Sequence, residues 1–126
     1  MKRSWIGFFL LILLLVGSLI ASSVMSTVHL ESAEKLEQAA RFALEGNWTG
    51  AAFATAQARQ QWERYDFLRS ALSDHAPGEE IDACFAALQV YGASAESVSF
   101  AALSGQTATM IRAIADAHSL KFHNLL

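Results

Sequence analysis

The sequence predicts an all-α chain, with one N-terminal transmembrane helix followed by a small four-helix domain. Three observations carry this. No Asp, Glu, Lys or Arg occurs between Ser4 and Leu30. The rest is rich in Ala, Leu, Glu and Gln, which favour helix. β-branched residues are sparse there, and no polar–apolar alternation persists as a strand would require. The 126 residues suffice for one domain beyond a membrane segment. At 53% apolar and 17% charged, the chain is too hydrophobic to stay disordered. A net charge of -3 speaks against nucleic acid, whose phosphates demand clustered Lys and Arg.

The first element is the span. Residues 4–25 are close to the roughly 20 that cross a bilayer as a helix. Helix is required because every backbone polar group must be paired inside lipid. Lys2 and Arg3 precede the span, and Glu31, Glu34 and Glu37 follow it. Basic flanks stay cytoplasmic, so residues 1–3 form a cytoplasmic stub and residues 26–126 an extracytoplasmic domain. A cleaved signal peptide is the rival reading, with Lys2-Arg3 as its basic start and Ala21-Ser22-Ser23 as its cleavage site. The apolar run is long for that role and reads on as helix through Ser26 and His29. His29, just past the span, is assigned to the membrane interface.

Residues 31–126 hold 7 Lys+Arg against 12 Asp+Glu, net -5. The first domain helix ends near Leu44, with Leu36, Ala40, Ala43 and Leu44 as its apolar stripe and Gly46 as a left-handed stop. Continuity with the span would hold the domain rigidly off the bilayer. Asn47 caps the second helix, which reaches about Ser73. On it Trp48, Ala52, Thr55, Arg59, Trp62 and Asp66 fall near one face, a small-residue groove with an aromatic at either end. Asp74-His75-Ala76-Pro77-Gly78 is read as a turn. The third helix runs from Pro77 to Tyr91 and buries Ile81, Cys84, Phe85 and Leu88. Glu79, Glu80 and Asp82 stand in its first turns, where the helix dipole favours negative charge. Gly92 ends it and Ser94 caps the fourth, whose Phe100, Leu103, Met110, Ile111 and Ile114 face inward. Ser119–Leu126 is an apolar tail that docks on the bundle. Gly46 and Gly92 make an internal echo, two helical hairpins similar to a tetratricopeptide repeat.

Gly46-Asn47-Trp48, Trp62, His75 with Glu80-Ile81-Asp82, and Asn124-Leu125-Leu126 carry a family resemblance over nearly the whole chain. The sequence resembles domain-of-unknown-function family 4363, small single-pass membrane-anchored proteins of Gram-positive spore-forming bacteria. It departs from them in placing Ala76-Pro77-Gly78 between His75 and the acidic residues. The resemblance implies an envelope-facing helical domain working beside a multi-pass membrane protein, with no established activity.

Catalytic motifs are missing. There is no HExxH, no Gly-rich phosphate loop and no Gly-x-Ser-x-Gly. The densest polar cluster, His75 with Glu79, Glu80 and Asp82, has no second His or Cys at ligand spacing, so a structural turn explains it better than a metal. His118 and His123 are five apart and lie on different helical faces. Cys84 is alone and reads as a small buried hydrophobe. Arg59, Arg64 and Arg69 spiral around the second helix and suit pairing with Glu63 and Asp66. The expectation is a non-enzymatic scaffold or accessory subunit without cofactor or metal. Its partners are the lipid bilayer and a membrane protein or a second copy. The alternative is a receptor for a peptide or small ligand near Trp48 and Trp62, against which a domain this small favours both indoles as core residues. Candidate interaction residues are Trp48, Trp62, Arg59, His75, Glu80 and Asp82.

Overall fold

A computed structural model describes residues 2–64 and 75–125. Within them lie four helices and no strand: α1 (Lys2–Leu44), α2 (Trp48–Arg64), α3 (His75–Ala93) and α4 (Ser97–Leu125). The all-α expectation holds. Short turns join α1 to α2 and α3 to α4, and α1 packs against both α2 and α4. With α3 touching α2 and α4, the four helices close into a ring.

The apolar leader and the first domain helix are one element of 43 residues. Its first half is long and apolar enough to cross a membrane, and none of that apolar window is buried by the protein. Side chains such as Phe9, Leu14 and Ile20 stand fully outside the bundle. The second half enters the core. Ser32, Ala33, Leu36, Ala39 and Ala43 are buried at three- and four-residue spacing, one helical face. They meet Ala51, Ala54 and Ala58 of α2, which are also buried. Alanines on both sides let the two backbones approach closely. Ser32 Oγ accordingly donates to the Ala58 carbonyl at 3.3 Å.

Several sequence expectations change here. Leu44 is exposed, because α1 ends one residue past its buried face. His29 is not interfacial: only 2% of it is exposed, since α1 carries it into the bundle on the same face as Leu36. His75, Ala76, Pro77 and Gly78 do not form a turn but open α3. Proline is tolerated there because the first helical turn lacks partners for its N–H groups. Gly92 does not end α3, and Ser94 does not cap α4. The left-handed residue is Ala95 (φ 54), and the Glu96 carbonyl accepts the first helical bond, from Phe100 N–H. The stretch from Ser119 is no separate tail, because α4 continues to Leu125. Its docking contacts, the end of the second helix near Ser73, and the placement of Asp66 and Arg69 lie outside the described residues.

The internal echo is real in the backbone but in another register. Gly46 N–H bonds Ala43 O and Asn47 N–H bonds Phe42 O. Ala95 N–H bonds Gly92 O and Glu96 N–H bonds Tyr91 O in the same pattern. Both are Schellman turns, which satisfy the last carbonyls of a helix. Gly46 therefore corresponds to Ala95, not Gly92. In that register buried Leu36, Ala39, Ala51 and Trp62 match buried Phe85, Leu88, Phe100 and Ile111.

Candidate functional groove

Helix α2 starts where Asn47 Oδ1 accepts the Gly50 N–H at 2.9 Å, a side-chain cap on an otherwise unpartnered donor. From there two stripes diverge. Ala51, Ala54, Ala58 and Trp62 turn into the core. Trp48, Ala52, Thr55 and Arg59 turn away from α1 and line a groove of about 680 Å³ between α2 and α3. Its floor is apolar: Phe85, Leu88 and Phe100, all buried. Its far wall is Gln89, Gly92 and Ala93. Trp48 stands edge-on to Phe100, ring centroids 5.4 Å apart at 83°. That arrangement puts the positive ring edge on the negative face and fixes the distal end of the groove. Arg59 donates its Nε–H to Glu63 at 3.0 Å, as its spacing foretold.

Trp62 lies in the core and not in the groove, as the need of so small a domain for its large side chains favours. It is 1% exposed and donates Nε1–H to Asp82 Oδ1 at 2.9 Å. Its ring meets His29 edge-on at 5.3 Å. Asp82 is therefore the acceptor for a buried indole, a role the helix-dipole reading missed. Because α3 begins at His75, Asp82 also lies two turns in, beyond the reach of that dipole. Glu79 and Glu80 are exposed. The His75 side chain lies outside the described residues, as do those of His118 and His123. Cys84 is a half-buried free thiol on α3.

Among the described residues no three His, Cys, Asp or Glu come together to hold a metal. Among the described residues, clear titration shifts belong to one pair across α1 and α4. Arg112, hydrogen-bonded to Glu37, holds that carboxyl below its ordinary range and is itself raised in turn. This pair braces the bundle and takes no part in the groove. The structure thus joins Trp48 with Arg59, and separately Trp62 with Asp82. Compared with family models, curated proteins and solved structures, the chain shows no match.

Proposed function

We propose that this is a non-enzymatic, single-pass membrane module of a bacterial cell envelope, which scaffolds or accompanies a membrane-protein partner or a second copy of itself. One observation carries the reading. A single helix has a wholly exposed apolar half and a half that forms the core of the bundle. Lipid is the environment that removes the cost of so much exposed apolar surface, and a continuous helix transmits position from bilayer to bundle. Lys2 and Arg3 on one side and a net charge of -5 beyond the span favour a cytoplasmic N-terminus and an extracytoplasmic bundle. The same charge speaks against nucleic acid. Kinship with domain-of-unknown-function family 4363 belongs to this proposal and rests on Gly46-Asn47-Trp48 and Trp62. The test is fractionation of cells making the full chain or one lacking residues 4–25. The full chain should resist carbonate extraction, be cut by externally added protease, and crosslink to a membrane protein or to itself. The deletion should lose all three properties. Release of the full chain by carbonate, or an intracellular bundle, overturns the reading.

A second reading has its own observation. Trp48 is half-exposed at the head of an apolar groove, as a tetratricopeptide-like receptor would present it. The paired Schellman turns support the two-hairpin part of this likeness. Packing of α1 on α4 confines it to one closed pair of hairpins rather than an open array.

A further inference from the structure

We infer that the α2–α3 groove binds a long-chain carboxylate, with the chain over Phe85, Leu88 and Phe100 and the head at Arg59. This deepens the receptor reading and rests on it. The volume, about 680 Å³, is that of a small-molecule site. The shape is elongated. Trp48 and Arg59 are eleven residues apart on α2, or about 16 Å along its axis. Among the described residues Arg59 is the charged side chain that lines the groove, so a cation stands at one end, with Glu63 ion-paired to it from outside the lining. Its Nε is ion-paired with Glu63, which steadies the guanidinium and offsets part of its charge, while the terminal NH2 groups remain as donors to a head group.

The scarcity of polar partners decides between occupants. The Thr55 hydroxyl is committed to the Ala51 carbonyl at 2.8 Å, which leaves the Trp48 indole N–H, Thr49 and Gln89 beside Arg59. A bound peptide would bury amides with few partners, and each unmet one carries a desolvation cost. An acyl chain buries none. The Arg59 end of the groove is also the end nearer the span, since the neighbouring Ala58 bonds Ser32 on α1. A carboxylate dissolved in the bilayer would therefore approach the cation first.

The experiment uses the full chain in phosphatidylcholine nanodiscs, with a long-chain fatty acid carrying a mid-chain diazirine and the matched fatty alcohol. Crosslinks are mapped by mass spectrometry. The acid should label residues 48–59 and 85–93, and unlabelled fatty acid should compete. Labelling should fall about fivefold in Arg59→Gln, a modest loss because the side chain is partly solvated, and vanish in Ala56→Trp, which fills the groove. If the alcohol labels the groove as strongly as the acid, and Arg59→Gln changes nothing, the groove remains an apolar receptor but this inference fails. Labels from both probes confined to the apolar half of α1 end the inference and the receptor reading together.

Discussion

The indole Nε1 of Trp62 donates to Asp82 Oδ1 at 2.9 Å, and the same ring meets His29 edge-on at 5.3 Å. One side chain thereby joins α1, α2 and α3 at the level where the apolar rod enters the bundle. Burial of the ring supplies most of the energy, and the hydrogen bond fixes its orientation.

Removing the acceptor tests it. Asp82→Ala should destabilise the fold by about 1–2 kcal/mol, because a buried donor loses its charged partner. Asp82→Asn, which keeps a carbonyl oxygen, should cost less. Exposed Glu80→Ala is the control and should stay within about 0.5 kcal/mol of the parent. Denaturant unfolding followed by Trp62 emission, with Trp5 and Trp48 replaced by Phe, measures all three. Equal effects at positions 80 and 82 would refute the account.

The paired turns give an asymmetric prediction. Gly46 and Ala95 share one backbone role, with φ of 79° and 54°. Only glycine adopts that region without a steric cost. Ala95→Gly should stabilise by about 0.5–1 kcal/mol, and Gly46→Ala should destabilise by a similar amount. A shift of the thermal midpoint in the same direction for both variants would contradict the equivalence.

This pair also shows what the sequence hides. Helix content, the α1–α2 turn and the stripe Trp48–Ala52–Thr55–Arg59 were legible, because 3.6-residue periodicity and capping are local. The register of the echo was not. A glycine permits a left-handed turn without requiring one, so Gly92 drew the boundary that Ala95 in fact makes. Distance from the span places His29 at the interface, yet His29, Ala33, Leu36 and Ala43 share one buried helical face, which the heptad spacing marks. The Trp62–Asp82 bond joins residues twenty apart on different helices, and no local pattern marks it. The face therefore divides, with Trp48 and Arg59 lining the groove and Trp62 filling the core.

Acid should loosen the brace between α1 and α4. Arg112 lowers the Glu37 pKa in the fold, so the pair stabilises above the ordinary carboxylate pKa of about 4.3 and loses that contribution as pH falls through the lowered value. Arg112, raised further, stays charged throughout. Both side chains are more than a third exposed, which limits the contribution to a few tenths of a kcal/mol up to about 1 kcal/mol. The stability gap between the parent and Glu37→Gln should be open at neutral pH and close as pH falls through the lowered Glu37 value. A gap that widened on acidification would show the sign to be wrong.

Continuity of α1 is the property that a spacer needs, and it can be broken without touching the core. Val24 is exposed and lies before the first buried residue, His29. Val24→Pro removes the bond to the Ile20 carbonyl and kinks the helix locally, at about 3 kcal/mol of helix energy. The four-helix core gains no cavity and loses no contact, so its denaturation midpoint should hold. What should change is geometry. With Cys84→Ser and a spin label at exposed Thr109→Cys, pulsed distance measurements to labelled headgroups should give one narrow distribution for the parent and a broad one for the proline variant. Equal widths would mean that the rod does not set the height of the bundle, and the scaffold would then have to act through the span alone.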